Sequence, residues 1–159
     1  MLNLKRTIVA VCVALSLPLA AYADTTFSGR AVRVLDGDTI EVLTVAQERV
    51  RVRLANIDAP EKTQPYGQKS KQNLTRMVGG LNVTVIDVGG DQYGRRIGRV
   101  MVGADEANVE QVRAGMAWVY ERYNHDPQLP SLEAAARNSR TGLWLDNSPQ
   151  EPWTFRHAR

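Results

Sequence analysis

Three stretches of alternating apolar and polar residues follow one another near the beginning of the chain, at 27–35, 38–45 and 48–54. The third is the most regular, with Val50, Val52 and Leu54 on one face and Arg49, Arg51 and Arg53 on the other. A period of two is typical of strands that bury one face. Asp36-Gly37 and Ala46-Gln47 separate the stretches, where hairpin turns are expected. The pattern therefore predicts a three-stranded meander.

The rest of the chain indicates two more strands and three helices. A helical period begins after Pro60 and Pro65 and ends at Gly79-Gly80. Strands are expected over 81–88 and 95–102, one helix near Asp105, and another from about Pro130 to Gly142. The order β-β-β-α-β-β-α-α predicts an α+β fold that is mainly a β-barrel. It is the arrangement of an OB-fold, a five-stranded barrel that commonly binds oligonucleotides.

Residues 1–23 have the pattern of a signal peptide. Lys5 and Arg6 precede an uncharged, mostly apolar stretch, and Ala21-Tyr22-Ala23 is a small-x-small cleavage site. The apolar stretch is too short for a comfortable membrane span, and the alternative is an uncleaved N-terminal anchor. We expect one domain over 24–145 and an irregular tail over 146–159, fastened to the domain by Trp153 and Phe155.

Cleavage after Ala23 would change the charge and the chemistry available to the chain. The 159-residue chain has a formal net charge of +3, and the mature part keeps 18 basic and 17 acidic residues, a net charge of +1. Global charge is therefore little guide to a nucleic-acid partner. Cys12 is the single cysteine and lies in the segment that is removed. Disulfides and thiolate chemistry are thus excluded from the mature protein.

Three acidic residues and one arginine fall at places that a barrel brings together. Asp38 begins the second strand, Asp58 and Glu61 lie in the loop after the third strand, and Arg53 is close to the end of that strand. Clustered carboxylates repel one another unless a cation neutralises them. Oxygen ligands suit Ca²⁺ or Mg²⁺ rather than Zn²⁺, since the mature chain offers two histidines and no thiolate.

The acidic and arginine residues of these segments also have simpler interpretations. These are an ordinary turn at Asp36-Gly37, a helix cap at Asp58, and exposed polar faces at Arg49, Arg51, Arg95 and Arg96. For Arg49 and Arg51 the solvated strand face is the interpretation that we adopt. Only the joint spacing of the remaining residues favours a site.

Three segments in a fixed order carry a resemblance to a known family. They are Asp36-Gly37-Asp38-Thr39, then Arg53 with Asp58-Ala59-Pro60-Glu61, then Asp91-Gln92-Tyr93-Gly94-Arg95. In this combination the chain resembles the staphylococcal nuclease (thermonuclease) family of secreted, Ca²⁺-dependent phosphodiesterases. The resemblance covers about 27–144 and is far more specific than any single motif.

The resemblance implies a role for each residue of the cluster. It implies that Ca²⁺ is held by the carboxylates of Asp38 and Asp58 and by the carbonyl of Ala59. It also implies that Glu61 is the general base and that two arginines bind the phosphate, namely Arg53 and Arg95.

Two tyrosines are implied to bind the substrate. Tyr93 matches a tyrosine near the terminal phosphate of the nucleotide, and Tyr123 matches a tyrosine that stacks on the base. Glu121 stands where the family has a second stacking tyrosine, which is a departure in the base pocket. Trp118 and Trp144 are expected to fill the junction between barrel and helices rather than to bind bases.

The resemblance implies an exported, monomeric nuclease that cleaves DNA and RNA with little sequence specificity and leaves 3′-phosphate ends. Stacking on the tyrosines would favour single-stranded substrate. One alternative is an OB-fold module that binds nucleic acid or a protein without cutting it. Another is a structural protein whose acidic loops bind Ca²⁺ for stability.

Overall fold

The structure is a computed structural model that describes residues 25–158, so the signal peptide predicted at 1–23 lies outside the described residues. The described residues form the strands β1 (Thr25–Val34), β2 (Thr39–Thr44), β3 (Arg49–Leu54), β4 (Ile57–Asp58), β5 (Asn82–Gly90), β6 (Arg96–Val102), β7 (Asp105–Glu106) and β8 (Trp118–Val119). The α-helices of this part of the chain are α1 (Gly67–Val78), α2 (Ala107–Arg113), α3 (Leu129–Asn138) and α4 (Pro152–His157). Two short 3₁₀ turns, Glu121–Tyr123 and Gly142–Leu145, complete the order.

Five strands close into a barrel. The main sheet has the order β3-β2-β1-β5-β6-β7, and an additional parallel pairing between β3 and β6 joins its ends. Neighbours β1, β2 and β3 pair antiparallel, as the meander predicts. The closing register sets Val52 opposite Arg96 and Leu54 opposite Gly98. The predicted OB-like α+β barrel is confirmed.

The interior of the barrel is filled by the apolar residues of the alternating strands. Residues that are essentially inaccessible to solvent include Ile40, Val42, Val52, Val85 and Val100. Their β-branched side chains pack well on a pleated surface, and their polar neighbours point outward. The removal of this surface from water drives the closure.

The helices cover the barrel and differ in places from the predicted bounds. Helix α1 ends before Gly79, as predicted, and buries Leu74 and Val78. Helix α2, the helix expected near Asp105, ends at Arg113, because Gly115 takes a left-handed conformation that ends the helix. Helix α3 ends at Asn138, four residues before the predicted Gly142.

The tail after residue 146 is not irregular throughout, which corrects the prediction. It contains helix α4, which begins at a buried proline, Pro152. Proline suits the first helical position because its fixed φ is helical and its missing N–H would be unpaired there. The six-residue helix is too short to show a period in the sequence. Its order therefore comes from packing on the domain.

Three tryptophans join the tail to the helices, as predicted for this aromatic cluster. Trp118 meets Trp144 and Trp153 edge to face, at centroid distances of 4.5 and 5.9 Å. Trp153 also stacks on Tyr120, with ring centroids 5.4 Å apart. Among residues 25–158 no helix is long and apolar enough to cross a membrane.

A buried asparagine ties α2 to the seam where the barrel closes. The Asn108 side chain accepts a hydrogen bond from the Val100 amide at 3.0 Å and donates to the carbonyls of Ala55 and Gly98 at 2.9 and 3.2 Å. Asn108 is fully buried. The Gly98 carbonyl also accepts from the Ala55 amide at 2.8 Å, so the Val100 amide and the Ala55 carbonyl are the groups that depend most on Asn108.

We expect Asn108→Ala to lower the free energy of unfolding by about 2–4 kcal/mol, because it leaves buried backbone groups unpaired. Urea unfolding followed by circular dichroism measures the change. The matched control is Asn138→Ala at an exposed helix end, which should stay within about 0.5 kcal/mol of the wild type. An Asn108→Ala variant as stable as the control would contradict this assignment.

Candidate active site

Asp38 is held in place by the turn that precedes β2. Its amide donates to Asp36 Oδ1 at 3.2 Å, and its carbonyl accepts from the Leu54 amide at 2.8 Å. Its own carboxylate accepts from Thr39 Oγ1 at 3.0 Å and from the Ala59 amide at 2.7 Å. Asp38 is buried. The carboxylate thus links the second strand to the loop after the third, as the sequence predicts.

Arg53 joins the two buried aspartates. Its Nη2 donates to Asp58 Oδ1 at 2.8 Å, and its Nη1 lies 3.3 Å from Asp38 Oδ2. The same Nη1 donates to the carbonyls of Leu54 and Ile57 at 2.9 and 2.8 Å. The planar fork of arginine suits several fixed oxygens at once. The guanidinium therefore fixes the loop that carries Asp58 against the end of β3.

Asp58 lies in β4, whose partner β8 contributes Trp118 and Val119. The residue is almost completely buried. Burial raises the pKa of Asp58, against the lowering effect of Arg156 and Arg53, and the nearby Asp38 raises it further. The positive charges of Arg156 and Arg53 therefore offset only part of the desolvation of the Asp58 carboxylate.

Glu61 stands at the end of the same loop and its side chain is partly exposed. The Glu61 amide donates to Gln64 Oε1 at 3.0 Å, which orients the backbone. Gly67 begins α1 directly against this loop, and a Cβ there would overlap the Glu61 carbonyl. Only glycine permits this approach, so the first turn of α1 helps to define where Glu61 points.

An arginine of the tail completes the cluster. Arg156 of α4 donates from Nη1 to Glu61 Oε1 at 2.8 Å and to Asp58 Oδ1 at 3.2 Å. Its Nη2 donates to Asp58 Oδ2 at 2.7 Å. Sequence reasoning missed Arg156, because the tail lies outside the family motifs and shows no period. The aromatic residues around it are the one signal that the tail packs on the domain.

Arg95 and Tyr93 lie in the hairpin between β5 and β6, and no hydrogen bond or ion pair joins them to Asp38 or Asp58. The carboxylate of Asp91 accepts from the Tyr93 and Arg95 amides at 2.9 and 3.1 Å, and from Arg95 Nε at 2.7 Å. Burial raises the pKa of Asp91, but these hydrogen bonds lower it overall. Arg95 stands next to Arg96, which pairs with Val52 on β3. The backbone of Arg95 is therefore one strand away from that of Arg53.

The two tyrosines predicted to bind substrate are exposed, at 72% for Tyr93 and 51% for Tyr123. Arg95 lies over the Tyr93 ring and Arg122 over the Tyr123 ring, at 5.4 and 5.5 Å from the centroids. Tyr123 also meets the edge of Tyr120 at 4.8 Å. Both rings present a free surface, which is what stacking on a base requires.

The chemistry of the donor set decides which metal these residues can hold. Asp38, Asp58 and the Ala59 backbone offer oxygen ligands only, which suits a hard cation. In the described part of the chain no three acidic, histidine or cysteine side chains are grouped for a metal ion. Two carboxylates and a carbonyl fit a cation that keeps some of its water.

Asp36 adds a further negative charge beside Asp38. Burial and the Asp38 carboxylate raise the pKa of Asp36 to about 6. Because this pKa is higher than in the unfolded chain, the folded protein is destabilised as the pH rises from about 4 through 6. Burial of Asp36 beside Asp38 therefore makes the stability of this end of the barrel depend on pH.

We expect Asp36→Asn to raise the free energy of unfolding at pH 8 by about 2 kcal/mol, and to change it little below pH 4. The asparagine oxygen can still accept the hydrogen bond from the Asp38 amide. Thermal unfolding with a chelator, from pH 4 to 8, measures the difference. The control is Asp105→Asn, at an exposed acid; a gain independent of pH in Asp36→Asn would contradict the assignment.

Comparison with known proteins agrees with the fold. Residues 51–146 match the family model for staphylococcal nuclease homologues. An uncharacterized endonuclease of Escherichia coli O157:H7 is 53% identical over 82% of this chain and 86% of its own length. A micrococcal nuclease of Shigella flexneri is 41% identical over 94% and 91%. A probable staphylococcal-like nuclease of Oryza sativa is 37% identical over 72% of this chain and 35% of its own.

The fold is an OB-like α+β barrel, and one end of it brings Arg53 together with two buried aspartates. The family match contains most of the predicted site residues, and Asp38, which precedes the match, reaches it through the Ala59 amide. The chain belongs to the staphylococcal nuclease-like family.

Proposed function

We propose that the protein is a Ca²⁺-dependent nuclease that hydrolyses phosphodiester bonds in DNA and RNA. One observation carries the proposal: Arg53 binds Asp38 and Asp58 together, beside the loop that ends in Glu61. The names of the relatives, which include an endonuclease and a micrococcal nuclease, support the reaction class. A binding module would not need this combination of buried carboxylates and arginine.

Asp38, Asp58 and the Ala59 carbonyl are the residues that would hold the cation. When bound, Ca²⁺ supplies positive charge that polarises a phosphoryl oxygen without exchanging a proton. The pairing of Arg53 with both aspartates keeps the two carboxylates on one side of the guanidinium. This arrangement supports a site for a hard cation beside a site for a phosphate.

Glu61 is the proposed general base. Its carboxylate is partly exposed, so an attacking water can reach it, and it can accept the proton that the water loses. Arg53 and Arg95 are proposed to donate hydrogen bonds to the phosphate oxygens, on which charge accumulates in the transition state. Arg95 leaves its pair with Asp91 to do so. Cleavage in this family's manner leaves 3′-phosphate ends.

The substrate-binding proposal follows from the exposed aromatic rings. Tyr93 and Tyr123 offer stacking surfaces that any base can use, which supports little sequence specificity and a preference for single strands. Phosphate contacts carry no sequence information either. DNA and RNA are therefore both proposed as substrates.

Export and a monomeric state are also part of the proposal. The pattern of residues 1–23 supports secretion to the periplasm or the medium, with cleavage after Ala23. After cleavage the protein is proposed to have no stable membrane association. The mature chain then lacks cysteine, which suits an oxidising compartment where no disulfide is needed.

We expect Glu61→Gln to lower kcat by about 10²–10⁴, because the base is lost. Arg95→Ala should lower it by about 10²–10³, because one donor to the phosphate is lost. Release of product from a single-stranded DNA oligonucleotide with Ca²⁺ measures both variants. Wild-type activity should disappear with a chelator.

Glu48→Gln, at an exposed turn, is the matched control and should keep the full rate. Near wild-type rates in both Glu61→Gln and Arg95→Ala would refute the assignment. A wild type that binds the oligonucleotide equally with Ca²⁺ and with a chelator, and releases no product, would instead identify a binding module.

A further inference from the structure

Three exposed arginines surround one carboxylate on the outer face of β1, β2 and β3. Arg33, Arg49 and Arg51 approach the Glu41 carboxylate to 4.0, 3.9 and 3.7 Å. Their side chains are 67, 68 and 51% exposed, whereas that of Glu41 is 14% exposed. We call these four residues the Glu41 cluster. The solvated strand face expected for Arg49 and Arg51 is thus a focused patch of positive charge.

The Glu41 cluster continues directly from the candidate active site. Glu41 pairs with Arg51 on β3 and with Arg33 on β1, and the next pair on the same face of β2 and β3 is Thr39 with Arg53. Alternate residues of a strand face the same side, about 6.8 Å apart. Arg53, Arg51 and Arg49 therefore form a row that leads away from the aspartates.

The arginines of the cluster are available to another anion. Three guanidinium groups face one carboxylate, so the cluster carries a net charge of +2. The distances exceed hydrogen-bonding range, and exposed ion pairs of this kind contribute little stability. Exchange of Glu41 for phosphate oxygens would therefore cost little.

We infer that the Glu41 cluster binds the sugar-phosphate backbone of the polynucleotide, at phosphates next to the one at Arg53. This inference rests on the proposed function and adds a second, non-catalytic contact surface for the same substrate. Charge complementarity and continuity with Arg53 support a nucleic-acid strand as the occupant. A dinucleotide ester with a single phosphodiester offers no second phosphate to the cluster.

The test compares long and short substrates in the double variant Arg49→Gln/Arg51→Gln. We expect KM for a single-stranded 20-mer to rise about 10-fold while kcat/KM for a dinucleotide ester is unchanged. In chelator, the slope of log Kd for the 20-mer against log salt should fall by about 1.4, the value for two lost contacts on a single strand. Arg113→Gln, an exposed arginine on α2, is the matched control.

An unchanged KM and salt slope for the 20-mer would overturn the inference. An equal loss on the 20-mer and the dinucleotide would also overturn it, because the variant would then act on the site itself. A wild type that cleaves neither substrate would refute the proposed function, and the binding measurement in chelator would still decide the role of the cluster.

A separate observation concerns the tail. Arg156 donates to both oxygens of Asp58 and to one oxygen of Glu61, so it engages a proposed metal ligand and the proposed base together. The packing of α4 on the domain holds Arg156 in this contact. Trp153 stacks on Tyr120 and Gln64 Nε2 donates to the Gln150 carbonyl at 2.6 Å, which holds α4 over the site.

A guanidinium that binds both oxygens of a carboxylate leaves neither oxygen free to coordinate a divalent cation. Arg156 takes both oxygens of Asp58, and it is partly exposed, so its side chain has room to swing outward. Its removal from the carboxylates leaves the buried Asp58 with Arg53 as the remaining arginine partner. A bound cation would replace the lost positive charge.

We propose that Arg156 occupies the site in the metal-free protein and competes with the divalent cation for Asp58. This proposal rests on the proposed metal site. Because the competent state is then only part of the population, the apparent affinity for metal is reduced by that fraction. The tail thereby sets the cation concentration at which the site is filled.

The test is calorimetric titration of Ca²⁺ into the full mature protein without substrate. We expect Arg156→Gln to bind Ca²⁺ about 10-fold more tightly than the wild type and to melt at a lower temperature in chelator. Arg156→Lys, which keeps the charge without the fork, should fall between them. Arg113→Gln is again the control and should behave as the wild type.

Equal or weaker Ca²⁺ affinity in Arg156→Gln would overturn the proposal. A loss of kcat at saturating Ca²⁺, with unchanged affinity, would overturn it too and would make Arg156 a substrate-binding residue. Absence of Ca²⁺ binding in all variants would refute the metal site and this proposal with it. Cleavage that persists in chelator would then show a nuclease that does not depend on Ca²⁺.

Discussion

The structure of the acidic end of the barrel depends on the Arg53 guanidinium. It is held by two backbone carbonyls and two aspartates that would otherwise repel each other. A buried carboxylate is costly unless it is paired and hydrogen-bonded, and Asp38 and Asp58 meet this condition through Arg53 and the Ala59 amide. Loss of the guanidinium would therefore disturb the fold and the chemistry together.

The barrel makes this convergence possible because β2 and β3 pair antiparallel, with Thr39 opposite Arg53, so Asp38 at the start of β2 lies beside the end of β3. The parallel pairing of β6 with β3 closes the barrel and sets Ile97 opposite Arg53. Asn108 fixes the seam by hydrogen bonds to the backbone of β6, at Gly98 and Val100, and to Ala55, the residue that follows β3. Residues far apart in the chain thus share one end of a rigid scaffold, as a precise site requires.

The barrel could be predicted from the sequence because the apolar residues that alternate along the strands are the ones that fill the barrel interior. Sequence reasoning also predicted that Asp38, Arg53 and Asp58 meet, since strand ends of a meander must be close. It could not predict Arg156 or α4, because a six-residue helix is ordered by contacts of Trp153 and Pro152 rather than by its own pattern. The Glu41 cluster could not be predicted either. Alternation in the sequence shows that the arginines face outward, but only the strand register shows that they surround Glu41.

Under the proposed function, two buried aspartates and an arginine form one site for a hard cation and a phosphate. A crystal structure of the mature protein grown with Ca²⁺ and a nucleoside bisphosphate, with anomalous data, tests this most directly. We expect an anomalous peak at Asp38 and Asp58, with Arg53 donating to a phosphate and Arg156 away from Asp58. A cation elsewhere, or a bound nucleotide with no contact to Arg53, would contradict it.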